Sequence, residues 1–139
     1  MHTVYLGLGS NMGDKEQQLL TAIRLIEERV GAVVCQSSFI ETEPWGFQSD
    51  NRFLNAVVSC LTEQTPREVL LTTQQIERDM GRRKNVNCNG VNRQYVDRPI
   101  DIDILLYDDL HVDEPDLKIP HPLMEQRDFV MKPLNEIKQ

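Results

Sequence analysis

The chain has 139 residues, 40% hydrophobic and 27% charged, and its 15 Lys+Arg against 22 Asp+Glu leave a net charge of −7. That length suits one domain with its own core, and the acidic balance excludes a general nucleic-acid binder or a basic membrane-surface protein, which need a cationic footprint. No apolar run approaches the roughly 20 residues of a membrane helix, and Cys35, Cys60 and Cys88 match neither a disulfide framework nor C-x-x-C zinc spacing.

Nothing in the sequence reads as a linker or repeat, so residues 1–139 are expected to form a single domain. No signal-peptide pattern opens it at Met1-His2-Thr3-Val4-Tyr5, and a cytoplasmic location is expected. Val4 to Leu8 predicts a first strand, stopped by the turn cluster Gly9-Ser10-Asn11. Asp14 to Val30 predicts a helix, with Leu19, Ile23, Ile26 and Val30 at helical spacing, Asp14 and Gln17 in capping positions, and Gly31 as the terminating residue. Residues 32–42 predict a second strand and Phe53 to Leu61 a third. Thr65-Pro66-Arg67-Glu68 combines a cap hydroxyl, a proline at the first helical position and a glutamate for a capping box, and Gly81 ends the helix that follows. After a long polar stretch, Ile100 to Tyr107 predicts a fourth strand, followed by a short segment at His111-Val112. The order βαββαβ implies an α+β, ferredoxin-like sheet with helices on one face, plus a C-terminal extension.

Asp101-Ile102-Asp103 carries the chemistry. On a strand, residues i and i+2 share a face, so Ile100, Ile102 and Ile104 face a core while Asp101 and Asp103 stand together on the other side. Paired carboxylates repel unless a cation joins them, and oxygen ligands at this spacing suit Mg²⁺ shared with substrate phosphates. Residues 82–98 add Arg82, Arg83, Lys84, Arg93 and Arg98 against one acid, Asp97, a basic stretch inside an acidic chain. Together these are the parts of phosphoryl transfer, which depends mostly on positioning and charge neutralisation. Gly7 to Gly13 does not fit a dinucleotide fingerprint, and no P-loop motif is present. Residues 83–97 hold four asparagines and few apolar side chains, a composition expected to order only when ligands arrive.

The sequence resembles the 6-hydroxymethyl-7,8-dihydropterin pyrophosphokinase family over essentially its whole length. The resemblance rests on Leu8-Gly9-Ser10-Asn11, Glu41-Thr42-Glu43-Pro44-Trp45-Gly46, Phe53-Leu54-Asn55-Ala56-Val57, Ile76-Glu77 leading to Gly81-Arg82, Arg98 to Leu105, Pro120-His121-Pro122 and Arg127-Asp128-Phe129-Val130. It implies transfer of diphosphate from ATP to a pterin hydroxymethyl group in folate biosynthesis, with release of AMP. By position it implies that Asp101 and Asp103 hold two Mg²⁺ ions and that Arg82 and Arg98 neutralise the phosphates. Gln74, Glu77, Lys84, Ile104, His121 and Arg127 would line the ATP site, with Ile104 against the adenine. Thr42, Trp45, Phe53, Asn55 and Phe129 would form the pterin site, the two phenylalanines sandwiching the ring.

A rival reading is an acylphosphatase-like hydrolase, which would have little use for the aspartate pair. Another is a regulatory ligand-binding domain on the same fold, which would bind without turnover. Asp101-Ile102-Asp103 beside a basic loop argues against both, and the expectation is a monomeric enzyme acting on ATP and the pterin.

Overall fold

In the computed structural model, residues 1–11, 13–42, 53–81, 100–122 and 124–138 are described. Strand β1 (His2–Ser10) lies between β4 (Phe53–Thr62) and β5 (Asp101–Tyr107), antiparallel to both. On its other side β4 pairs with β2 (Ala32–Gln36) and β3 (Ile40–Thr42). The expected single strand over 32–42 is thus two strands. Ser37 sits at the break and satisfies the sheet itself: its N–H donates to the Val57 carbonyl at 2.9 Å, and its hydroxyl accepts from the Val57 N–H at 2.9 Å. A serine side chain that can stand in for a ladder group lets the strand step without leaving a buried donor unpaired.

Helix α1 (Lys15–Arg29) starts at Asp14, whose carboxylate accepts from the Gln17 N–H at 3.2 Å. Helix α2 (Pro66–Asp79) starts on the expected capping box: the Glu68 N–H donates to the Thr65 hydroxyl, and the Thr65 N–H to the Glu68 carboxylate. Gly81, at φ +110°, ends α2 in a conformation that favours glycine. Gly31 is needed for another reason. It does not take a positive φ, but a Cβ there would lie 1.7 Å from the Leu61 carbonyl oxygen, so the residue is glycine because α1 turns tightly against β4.

Both helices pack on one face of the sheet. Leu19, Ala22 and Ile26 of α1 and Val69 and Ile76 of α2 meet Val4, Leu6, Leu8, Ala56, Val58 and Cys60. Burying each large apolar side chain contributes about 1.5–3 kcal/mol. The extension after β5 comprises a hairpin of β6 (Val112–Glu114) and β7 (Leu117–Ile119), a 3-10 turn (Met124–Gln126) and helix α3 (Asp128–Ile137). Helix α3 covers part of the opposite face, where Val130 and Leu134 pack with Val57, Leu105 and Met124. Its far end is tied down by Glu136, which accepts from the Ser38 N–H at 2.6 Å and the Ser38 hydroxyl at 2.7 Å. No helix among the described residues is long and apolar enough to cross a membrane.

Candidate active site

The antiparallel pairing brings the end of β1, the start of β4, the end of β3 and the start of β5 together at one end of the sheet. Residues directly opposite in register share a face. One such row reads Ile40, Asn55, Gly9, Asp101, and the next reads Val57, Gly7, Asp103. The central strand therefore contributes no side chain between Asn55 and the aspartates. Gly9 has little room for one: a Cβ would lie 3.1 Å from the Asn55 amide oxygen and 3.4 Å from the Phe53 ring. Asn55 is only 4% exposed, and its amide N–H donates to the Ile40 carbonyl at 3.3 Å. A mid-sheet amide held this way projects beside a glycine floor, with a half-buried aromatic ring as its neighbour.

On β5 the alternation is as expected. Ile100, Ile102 and Ile104 are 0%, 7% and 6% exposed, while Asp101 and Asp103 are half-buried on the opposite face. The strand then departs from simple alternation: a register shift opposite Tyr5 and Leu6 leaves Leu105 unpaired with β1 and turns it over Gly7. This bulge puts Leu105 and Leu106 in succession on the face that α3 covers, while Ile104 and Tyr107 stay on the helix-side core face.

The extension adds two more groups. The His121 N–H donates to the Leu105 carbonyl at 3.0 Å, which sets the residue beside β5. Burial pushes the His121 imidazole below its ordinary pKa of 6.5; the Arg127 charge pushes it the same way, and the Asp101 carboxylate pulls it back. Arg127 and Asp101 are thus each within electrostatic reach of His121, whose environment favours the neutral imidazole. Arg127 precedes α3 in extended backbone and is half-buried.

Glu77 occupies an unexpected place. It is 5% exposed on α2, and its carboxylate accepts from the Ile102 backbone N–H at 2.8 Å. Gln74 is exposed on the same helix. Ile104, expected against an adenine, packs in the core beneath the helices. By backbone, Thr42 ends β3 and Phe129 falls in the first turn of α3. Trp45, Arg82, Lys84 and Arg98, with the polar stretch over 83–97, lie outside the described residues. The sequence reading missed the glycine floor. Its signal was present, because glycines alternating through an apolar strand mark a close approach of backbone or ligand.

The carboxylate pair fits a magnesium ion better than a closed protein cage would. Mg²⁺ keeps several waters and takes one or two carboxylates together with substrate phosphates. Two carboxylates on one strand face supply that set, and among the described residues there is no group of three or more His, Cys, Asp or Glu that could hold a metal.

The domain is thus α+β and ferredoxin-like, with two carboxylates sharing one strand face beside a row of glycines. The family model of 7,8-dihydro-6-hydroxymethylpterin-pyrophosphokinase matches residues 5–139, and the chain belongs to that family. It is 50% identical over 138 residues to a 2-amino-4-hydroxy-6-hydroxymethyldihydropteridine pyrophosphokinase of Porphyromonas gingivalis, covering 99% of this chain and 91% of that one. The enzyme of that name from Aquifex aeolicus is 42% identical, over 99% of this chain and 81% of its own. The fold also matches a crystal structure of Plasmodium falciparum HPPK-DHPS with pteroate, at a TM-score of 0.74 and 17% identity. That match covers 97% of this chain and 38% of the longer one.

Proposed function

We propose that this chain performs its family's reaction as a single domain, transferring diphosphate from ATP to the hydroxymethyl group of 6-hydroxymethyl-7,8-dihydropterin in folate biosynthesis. The hydroxymethyl oxygen forms a bond to the β-phosphorus, the bond from that phosphorus to the α-phosphate oxygen breaks, and AMP leaves with the oxygen. The observation that carries the reading is the row Asn55–Gly9–Asp101. It spans two strand spacings, roughly 9–10 Å, a length that suits a bicyclic ring with a one-carbon arm. A heterocycle edge would meet the Asn55 amide, which offers donors and an acceptor. Its ring would lie over Gly9 beside Phe53, and its arm would point at the aspartates. Thr42, Phe129 and, from the sequence alone, Trp45 are the further candidates for the ring.

At the other end, Asp101 and Asp103 would hold Mg²⁺, two ions by the resemblance. When bound, the metal supplies charge neutralisation on the phosphates and lowers the cost of bringing an electron-rich oxygen towards them. His121, kept neutral, can donate one ring N–H to a phosphate oxygen without adding charge. Arg127 beside it offers the planar fork suited to phosphate. Arg82, Lys84 and Arg98 would add positive charge from the basic stretch, and Gln74 would contact the nucleotide from the rim of α2.

The test is incubation with ATP, Mg²⁺ and the reduced hydroxymethylpterin, followed by product separation. AMP and a pterin diphosphate in equal amounts are expected. ADP with a pterin monophosphate, or nucleotide hydrolysis indifferent to the pterin, would overturn the reading.

A further inference from the structure

We propose that Glu77 is a positioning residue: its carboxylate pins the backbone between Asp101 and Asp103 and so sets the spacing of the carboxylate pair. The proposal rests on the assignment of that pair to Mg²⁺ made above.

Strand β5 ends the order β2-β4-β1-β5, so among the described residues no strand pairs with it on its outer side. Asp101 and Asp103 lie opposite Gly9 and Gly7 of β1, with Ile102 between them opposite Leu8. In an antiparallel ladder, alternate residues point their N–H groups away from the partner strand. The Ile102 N–H is one that points away. Its partner is the Glu77 carboxylate at 2.8 Å, from a side chain only 5% exposed. The Ile102 side chain is itself 7% exposed in the helix-side core. The central residue of the Asp-Ile-Asp triplet is therefore fixed twice, by its side chain in the core and by its backbone on α2. Strand edges without such pairing flex most readily, and a carboxylate pair that must meet a cation and a polyphosphate tolerates little looseness.

This placement differs from one in which Glu77 contacts the nucleotide. A carboxylate touching the nucleoside would matter for AMP as much as for ATP. One that sets the metal ligands would matter only where a metal-bound polyphosphate is present. Either Gln or Glu can accept the Ile102 N–H, whereas Leu cannot, and Asp is one methylene too short.

The test uses the full chain with Glu77→Leu, Glu77→Gln and Glu77→Asp, and Asp103→Asn as reference, each checked for a cooperative thermal transition. Three quantities are measured: exchange of the Ile102 amide, the half-saturating Mg²⁺ for binding α,β-methylene-ATP, and the affinity for AMP. Glu77→Leu is expected to speed exchange at Ile102 and raise the half-saturating Mg²⁺ by about 10–100-fold, the usual cost of losing a group that orients a metal ligand. AMP affinity should stay unchanged, and Glu77→Gln, which keeps an acceptor for the Ile102 N–H, should leave exchange at Ile102 slow and shift the Mg²⁺ requirement less than Glu77→Leu does. If Glu77→Leu does not fold, Glu77→Asp carries the test with a smaller shift in the same direction. A fall in AMP affinity equal to that for the analogue would overturn the proposal, as would an unchanged Mg²⁺ requirement despite faster exchange at Ile102. If Asp103→Asn leaves the Mg²⁺ requirement intact, the metal assignment itself fails and the positioning role falls with it.

Discussion

The sheet face away from α1 and α2 has two halves built from the same strands. In one half, Val57 and Leu105 are each 1% exposed under α3, with Leu134 and Val130 filling the space above them. In the other half, Asn55, Gly9 and Asp101 lie in register, with Asp103 in the next row opposite Gly7, and among the described residues no side chain of β1 stands between the amide and the carboxylates. Gly7 and Leu105 mark the boundary, where a bulge turns a leucine over the last glycine before the apolar half. The difference teaches that one β5–β1–β4 surface serves as core where a helix covers it and offers a candidate site where polar groups line it. Disturbing the first half should cost stability with chemistry kept, and disturbing the second should do the reverse.

The largest expected effect is in the polar half. Asp101→Asn or Asp103→Asn should lower kcat/KM by about 10³-fold or more, the several kcal/mol that a metal contributes to phosphoryl chemistry. Thermal stability should hold or rise, because one charge of a repelling pair is gone. Steady-state kinetics beside a melting curve checks both, and a variant that lost stability and activity together would erase the distinction between the halves. Across the boundary, Leu134→Ala should cost about 2–5 kcal/mol of stability, with KM for ATP and pterin unchanged at temperatures where the variant is folded. Denaturant unfolding measures the first quantity and kinetics the second.

Within the polar half, Asn55→Ala should weaken pterin binding by about 1–3 kcal/mol, the cost of an unmade buried hydrogen bond, while ATP affinity is kept. Equal losses in calorimetry would mean that Asn55 acts on the fold through Ile40. The smallest effect is electrostatic. Arg127 lowers the His121 pKa and Asp101 raises it, so Arg127→Gln should move the imidazole up towards 6.5 and Asp101→Asn should move it further down. The stability consequence has a definite sign. The folded chain binds this proton less readily than the unfolded one, so the contribution is present above pH 6.5 and is lost as pH falls through the depressed folded value. NMR titration of the His121 ring follows these shifts.

The sequence made much of the apolar architecture legible and less of its arrangement. The Thr65–Glu68 box and the Asp14 cap are local hydrogen-bond patterns, and both form as read. The alternation of Ile100 to Ile104 fixes which face Asp101 and Asp103 take, because a strand's period leaves no other choice. Helix α3 was hidden, since Pro133 inside it reads as a helix breaker and nothing local says which sheet face a C-terminal helix will cover. The bulge at Leu105 was equally hidden, because Ile104-Leu105-Leu106 is apolar throughout and carries no period. The resemblance implies a place for Glu77 in the ATP site, but its bond to Ile102 joins groups 25 residues apart and belongs to tertiary structure.

The division of the face into site and core is tested most directly by mapping backbone amide shifts as the pterin and Mg²⁺ with α,β-methylene-ATP are added. The account predicts that Gly7, Gly9, Asn55, Asp101 and Asp103 shift strongly and that Val130 and Leu134 stay close to their free positions. Shifts centred on Val130 and Leu134, with the glycine row unmoved, would contradict it.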